Sequence, residues 1–237
     1  MGTRTSPVTE LLRADTEGVL LPLVDAALPC GPTEVDPGTA GRMVRPYAWL
    51  VEHVGPDGLR LTGSGYLPPA SVAAAAEEFG LRHTWTGSFA REETALPVLV
   101  LRESAQQLGL LRRRAGVLRR SVPAARALGD PVALWHLVAE GLPLRSPGED
   151  GGRAGLLLLL AVAAGSDSPY RDVAAGLSAL GGSGGTSVTA RAAADLCAAT
   201  AWVLTWTGAI RGNDLLGTLR PTPDGTLLAR AALGHLA

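Results

Sequence analysis

The chain has 237 residues, a formal net charge of -1, and a composition that is 46% hydrophobic but only 4% aromatic. This length allows two small domains, and cores built from Leu, Ala and Val favour helix. The charge excludes a wholly basic nucleic-acid coat, and the longest apolar run, residues 154–165, is well short of the ~20 residues that span a bilayer.

The basic residues are unevenly distributed along the chain. Seven Arg and one acid lie between Arg102 and Arg126, whereas residues 1–60 carry eight acids against five Arg. All 21 basic residues are Arg, which is typical of a GC-rich coding bias and weakens the significance of a single Arg run. The pattern predicts one basic patch on a mildly acidic body.

Cysteine usage and the N-terminal residues predict the compartment. Cys30 and Cys197 are far apart and have neither metal-ligand nor disulfide-framework spacing. The N-terminus carries no basic stretch followed by an apolar run. We therefore expect a soluble, cytoplasmic protein with no membrane segment, metal or cofactor.

Residues 1–41 are predicted to form an N-terminal helical extension and linker. Ser6 and Pro7 begin a helix that Pro22 kinks or splits. Residues 29–41 contain three Pro and three Gly, which predicts a loop. The leading helices are expected to pack on a later domain or on a second copy of the chain.

Residues 42–142 are predicted to form the first structural unit. A helix around residues 44–51 is followed by a short alternating strand, GLRLT, and by a helix from Pro69 to Gly80. A helix over 95–109 comes next, with Thr94 as its N-cap, and residues 110–121 then form a basic hairpin that turns at Ala115-Gly116. Further helices are expected from Pro123 and over 130–142.

Helix, basic hairpin and helix in this order resemble the second half of a winged helix-turn-helix domain. In that resemblance, residues 95–109 would be the recognition helix, residues 110–121 the wing, and GLRLT a third strand beside it. The connection before residue 95 departs from the pattern, because about a dozen residues stand where a helix-turn-helix uses about three or four.

Residues 143–152 are predicted to be a linker, and residues 153–237 are predicted to repeat the same plan. Pro169 opens a helix ending at Gly181, and a helix from Val188 ends at Gly208. The flanks of Gly212 to Asp214 then pair as a bare hairpin before the last helix. The offset between the halves stays near one hundred. The predicted fold class is mainly α with short β-hairpins (α+β), arranged as tandem winged-helix units with an N-terminal helical extension.

Three phrases of the first unit carry a narrower resemblance. LRLTGSGYLPPASV, LRESAQQLGLLRRRAGVLRRS and DPVALWHL resemble the C-terminal region of a family of uncharacterised, mostly actinobacterial proteins named after a third open reading frame of an Ri plasmid. The resemblance covers residues 43–142 and implies no activity.

The candidate DNA-binding residues belong to the predicted recognition helix and wing. On the helix, Arg and Gln side chains facing outward could contact guanine and adenine edges, while Arg on the wing could contact phosphates. These residues are Arg102, Gln106, Gln107, Arg112, Arg113, Arg114, Arg119 and Arg120. The alternative interpretation is a solvated hairpin in a chain whose only basic residue is Arg.

The remaining patterns carry little chemistry. The helix from Val188 is apolar nearly all round, which predicts a dimerisation or partner-binding element. The glycine run 181–185 lacks the GK[ST] ending of a phosphate loop, and the four His have no catalytic partner at a usable spacing. No enzyme class is indicated.

We therefore expect a non-enzymatic DNA-binding regulatory protein. Its first unit would bind double-stranded DNA, and the second would mediate homodimerisation or bind a partner. One alternative is a non-catalytic interaction scaffold built from tandem winged helices. A more remote one is a DNA-processing enzyme such as a glycosylase.

Overall fold

The computed structural model describes residues 6–28, 33–144, 146, 148–181, 187–212 and 219–236. In chain order, its helices are α1 Pro7–Ala14, α2 Leu21–Ala27, α3 Pro37–Val54, α4 Pro69–Glu78, α5 Leu96–Gln107, α6 Val122–Ala127, α7 Pro131–Glu140, α8 Gly148–Ala163, α9 Pro169–Ala179, α10 Ala190–Leu196, α11 Ala198–Trp206 and α12 Pro223–Gly234. Its strands are β1 Leu59–Arg60, β2 Leu111–Arg114, β3 Val117–Arg120, β4 Ile210–Arg211 and β5 Arg220–Pro221. The chain is thus mainly helical with two small antiparallel sheets, an α+β composition as predicted.

Two compact units share the chain. The central unit comprises Ala40–Val138, and the outer unit comprises the residues up to Thr39 together with those from Ala139 onward. The residues predicted as a separate N-terminal extension therefore belong with the C-terminal half, where α2 packs against α8. Apolar burial explains this, because Leu20, Val24 and Ala27 have almost no exposed surface.

Two of the predicted loops are wrong in extent. In the first, α3 already begins at Pro37, where Asp36 Oδ1 accepts a hydrogen bond from Thr39 N at 2.9 Å and caps the helix. In the second, α8 begins at Gly148, and Leu144 N donates to the buried Thr200 Oγ1 at 3.1 Å. The Gly and Pro content of both segments predicts linkers. A helix cap orders the end of the first segment, and a tertiary hydrogen bond orders the start of the second.

The three-stranded sheet of the central unit confirms the predicted hairpin and its third strand. The sheet order is β1-β3-β2, and β2 pairs with β3 from Leu111↔Arg120 to Arg114↔Val117. The turn residues Ala115 and Gly116 have φ of 49° and 72°, which is the geometry of a tight hairpin turn whose twist matches the strands. The helix α5 before it ends at Gln107, and Gly109, two residues further on, has φ of 74°.

The core of the central unit lies between its helices and one face of the sheet. Tyr47 and Trp135 are fully buried, and Trp135 Nε1 lies 3.4 Å from Met43 Sδ. Tyr47 Oη and Ser104 Oγ are 3.0 Å apart and join α3 to α5. Burial raises the pKa of Tyr47 far above its ordinary value, so this hydroxyl stays protonated and serves packing.

The outer unit is built around α8. Its residues from Leu156 to Ala163 are all buried, and α2, α9, α11 and α12 pack against it. The helix predicted from residue 188 to 208 is divided at Cys197, because α10 packs mainly on α9 and α11 on α8. None of the described helices is both long and apolar enough to cross a membrane.

The hairpin regions of the two units share local geometry. Ser121 N donates to Leu110 O and Thr222 N donates to Ala209 O, both at 2.9 Å. The Ser121 and Thr222 side chains then each cap the helix that follows. In the outer unit Arg211 pairs with Arg220, so the connection is longer than the predicted Gly212 to Asp214 turn. Residues 213–218 lie outside the described residues.

Candidate nucleic-acid interface

Four guanidinium groups lie on the outer face of the three-stranded sheet. Directly paired residues of an antiparallel sheet project to the same side, and alternate residues of a strand do so too. The register pairs Arg60 with Val117 and Arg112 with Arg119, and Arg114 also lies opposite Val117. The basic face defined by Arg60, Arg112, Arg114 and Arg119 is therefore contributed by all three strands, and each of these Arg is exposed.

The basic face concentrates positive charge without internal compensation. Arg112 and Arg119 stand directly opposite each other, where side chains are about 5 Å apart at Cβ and like charges destabilise a sheet. Within the described part of the chain, no hydrogen bond or salt bridge joins any of the four guanidinium groups to an acceptor. Such an arrangement is suited to binding a polyanion, which would relieve the repulsion.

The other face of the hairpin packs on the core and includes Arg120, one of the predicted phosphate contacts. Leu111 and Leu118 on that face are buried. Arg120 donates from Nε to Val51 O at 2.7 Å and from Nη2 to Glu52 O at 2.9 Å, so it caps the C-terminal turn of α3. Arg120, which the sequence predicts to contact phosphate, is therefore engaged by α3 and lies on the face of the hairpin opposite the basic face.

Arg113 shares the core-facing side of the hairpin with Leu118, its direct partner across the strands. Its guanidinium lies against Gly65, where an added Cβ would be 2.6 Å from Nη1. Arg113 is exposed, but it points away from the basic face. The sequence predicts that Arg113 and Arg112 contact the same DNA backbone, whereas the structure places them on opposite sides of the sheet. Strand alternation is the physical reason.

Arg102 is a buried structural residue, which contradicts its predicted place on the outward face of α5. Its Nε lies 2.7 Å from Glu92 Oε1, with side-chain exposures of 8% and 0%. The Nη1 group donates to Gln106 Oε1 at 2.6 Å. Arg102 is therefore engaged inside the protein, whereas the half-buried Gln106 keeps its amide N–H donors.

Glu92 connects three segments of the central unit. Besides the contact with Arg102, its Oε2 accepts a hydrogen bond from Leu67 N at 2.6 Å. Burial raises the pKa of Glu92 above its ordinary value, and the hydrogen bonds from Arg102 and Leu67 oppose that rise. The pair thereby ties α5 to the connection before it and to the segment that precedes α4.

The exposed side of α5 is poorly suited to a DNA groove. Its exposed residues are Leu96, Glu103 and Gln107, so among the predicted reading residues Gln107 is exposed, Gln106 is half-buried and Arg102 is buried. Glu103 would repel phosphate.

The connection before α5, which includes short 3-10 turns at Leu81–His83 and Glu92–Thr94, also differs from a tight helix-turn-helix. Thr94 hydrogen-bonds Ser88 O and Arg91 O instead of capping α5, whose N-cap is Ala95.

Arg60 is the functional candidate that the sequence interpretation missed. The GLRLT segment was predicted as a strand beside the wing, but no role was given to its single Arg. Pairing that strand with β3 and applying alternation would have placed Arg60 beside Arg112 and Arg119. The missing information was the register, which depends on packing of Leu59 and Leu118.

Other patterns do not form a competing site. Over the ranges that the structure describes, no three His, Cys, Asp or Glu side chains come together in a way that could hold a metal ion. Gly181 lies two residues beyond the end of α9, with φ of 71°, while residues 182–185 of the glycine run lie outside the described residues. Cys197 is buried, and Cys30 is not among the described residues.

Comparison with known proteins finds no matching family model, no matching curated protein and no matching solved structure.

Proposed function

We propose that the central unit is a winged-helix unit that binds the phosphate backbone of duplex DNA through the basic face. The observation that carries this proposal is the set of four exposed Arg on one side of the sheet, with Arg112 directly opposite Arg119. The outer unit, with its related hairpin, would be the second winged-helix unit and would serve assembly or a partner.

The order of elements supports the winged-helix interpretation. The central unit runs helix, strand, helix, helix and hairpin, and the first strand lies beside the last in the sheet. This is the order expected of a winged helix-turn-helix domain. The long connection between α4 and α5 is a departure, and it favours a different use of α5 from reading a groove.

Contact through the basic face would fix position on DNA without reading bases. Phosphate contacts are made to every sequence alike, whereas discrimination needs polar side chains at base edges. Since Arg102 is buried against Glu92, only Gln107 and the amide nitrogen of Gln106 could supply such a contact from α5. We therefore infer binding with little sequence preference, which narrows the regulatory role expected from the sequence.

Duplex DNA is favoured over a single strand because of what the basic face lacks. Single-strand binders stack bases on exposed aromatic side chains beside a cationic groove. Among the described residues of the sheet, the outer face carries Arg and Val117 but no aromatic side chain. A rigid phosphate backbone therefore fits this surface better than splayed bases.

The test is a salt titration of binding to a short duplex of mixed sequence, followed by fluorescence anisotropy. Each phosphate contact on B-DNA adds about -0.9 to the slope of log affinity against log salt, so four contacts give about -3.6 at most. Replacing both Arg112 and Arg119 by Gln removes two contacts and should flatten the slope by about 1.8.

Two matched controls make this test specific. Arg113→Gln changes the neighbouring charge on the opposite side of β2, and Arg211→Gln changes an exposed strand Arg in the outer unit. Both should leave the slope almost unchanged. If wild-type protein shows no salt-sensitive binding, or if Arg113→Gln weakens binding as much as Arg112→Gln, the assignment of the basic face to DNA is wrong.

The scaffold alternative has one specific observation in its favour. The outward side of α5 bears Leu96, which is 39% exposed, together with the half-buried Leu99 and Val100. An apolar helix side of this kind is typical of protein contacts. If the wild-type protein shows no salt-sensitive DNA binding, this apolar side of α5 becomes the leading candidate for the protein's main interaction.

A further inference from the structure

The connection between α4 and α5 lines a cavity that is open to solvent and that the proposed DNA contact does not use. Its volume is about 460 Å³, within the usual range for small-molecule sites of about 300–1,000 Å³. The lining residues are Arg82, Trp85, Gly87, Ser88, Phe89 and Ala90. None of them belongs to the basic face.

Arg82 gives the cavity a cation beside an aromatic ring. Its guanidinium carbon lies 5.7 Å from the centroid of the Phe89 ring, a cation–π arrangement. Phe89 is buried and Arg82 is exposed. No carboxylate of the described residues forms a salt bridge with Arg82, so its charge is available to an anionic ligand.

Trp85 gives the cavity an aromatic wall, since its indole ring is only partly buried by the described residues. Its indole Nε1 is buried against Gly87 and has no acceptor among them, so this N–H is closed to a ligand in the cavity. The absence of a side chain at Gly87 permits this position, because a Cβ there would overlap Trp85 Nε1. Ser88 Oγ accepts from Ala90 N at 3.2 Å, which leaves its hydroxyl hydrogen for another acceptor.

We propose that this cavity binds a small planar organic anion, of which an aromatic carboxylate is the simplest form. The carboxylate would accept hydrogen bonds from Arg82 and from Ser88 Oγ, and the ring would pack beside the partly exposed indole of Trp85. Charge-assisted hydrogen bonds provide the selectivity for an anion, and the aromatic walls provide the selectivity for a flat apolar body.

Benzoate, benzamide and acetate are suitable probes for the full-length protein. Benzoate has both the ring and the charge, benzamide has the ring alone, and acetate has the charge alone. Benzoate should bind in the millimolar range expected of so small a ligand. Benzamide and acetate should each bind about ten-fold more weakly, since each lacks one of the two recognised features.

Nitrogen–proton correlation spectra report the site directly through the Trp indole signals. The chain has five Trp, and the Trp85 signal is the one that disappears in Trp85→Phe. Benzoate should move that signal more than the other indole signals because Trp85 lines the cavity. If Trp85→Phe does not fold, the binding titrations of Arg82→Gln decide the question, since Arg82 is exposed.

Arg82→Gln should weaken benzoate binding by about ten-fold. The matched control is Arg91→Gln, an exposed Arg in the same connection that pairs with Glu93 at 2.9 Å and does not line the cavity. Arg112→Gln should also bind benzoate as the wild type does, which separates this site from the basic face. Equal binding of benzoate and benzamide, an equal loss in Arg91→Gln, or no benzoate binding at all would overturn the proposal.

Discussion

Replacing Arg102 by Met should strongly destabilise the central unit. The change leaves the carboxylate of Glu92, whose side chain has 0% exposure, without its cation but keeps a side chain of similar length. Breaking a buried ion pair in this way costs about 3–5 kcal/mol, because an uncompensated charge stays in a poorly solvated position. Gln106 Oε1 also loses the hydrogen bond that Arg102 Nη1 donates to it.

An exposed ion pair with the same distance provides the control. Arg45 Nη2 lies 2.7 Å from Glu78 Oε1, as Arg102 Nε lies 2.7 Å from Glu92 Oε1, but the exposures are 63% and 33%. Solvated pairs contribute about 0.2–1 kcal/mol. Arg45→Met should therefore lower the free energy of unfolding several-fold less than Arg102→Met does.

Urea unfolding followed by far-ultraviolet circular dichroism measures both variants. In Arg102→Met, Glu92 should take up a proton more readily, so the loss of stability should shrink as the pH falls. Adding Glu92→Gln to Arg102→Met removes the buried charge and retains an acceptor for Leu67 N, and it should restore part of the stability. Equal effects of Arg45→Met and Arg102→Met would refute the reasoning.

Three further predictions concern protonation, packing and assembly. Burial lowers the pKa of His53, so the unfolded chain binds this proton at a higher pH than the folded protein does. The free energy of unfolding should therefore fall as the pH drops below about 6.5. A His53→Gln variant that keeps the full fall would contradict this. Gly225→Ala should destabilise the outer unit because its Cβ would overlap Ala209 O. In the same helix, the Cβ of Gly234→Ala would meet nothing within 4 Å, so this variant should stabilise the outer unit by about 0.5–1 kcal/mol. Thermal unfolding compares the two variants. We also expect a homodimer, since Leu21 of α2 is 51% exposed and apolar surface of this kind favours association; a monomer mass by light scattering at micromolar concentrations would exclude it.

Local signals in the sequence predicted much of the central unit. Gly109 ends α5 and Ala115-Gly116 turns the hairpin because positive φ at those positions can be inferred from residue type and immediate neighbours. Pro69 and Pro169 begin helices for a similar reason. Each of these features depends on a few adjacent residues, so no knowledge of the fold was needed.

The candidate site could be predicted only in part. The basic character of residues 110–121 was evident, and alternation with the buried Leu111 and Leu118 separates Arg112 and Arg114 from Arg113 in principle. The engagement of Arg120 with Val51 O could not be inferred, because those residues are distant in the chain. Arg60 joined the basic face only once the β1–β3 register was known.

The helix α5, the β2–β3 hairpin and the positions of their ends therefore follow from the local sequence, because backbone torsions, capping groups and apolar periodicity act over one or two turns. Whether a charged side chain is buried or exposed follows from tertiary contacts. Arg102 and Arg112 are indistinguishable by type, yet one is buried against Glu92 and the other is exposed on the sheet. Among the residues that the structure describes, a carboxylate lies beside the first guanidinium and none lies beside the second. Because a guanidinium is costly to desolvate without a partner, this difference determines which of the two can contact a ligand.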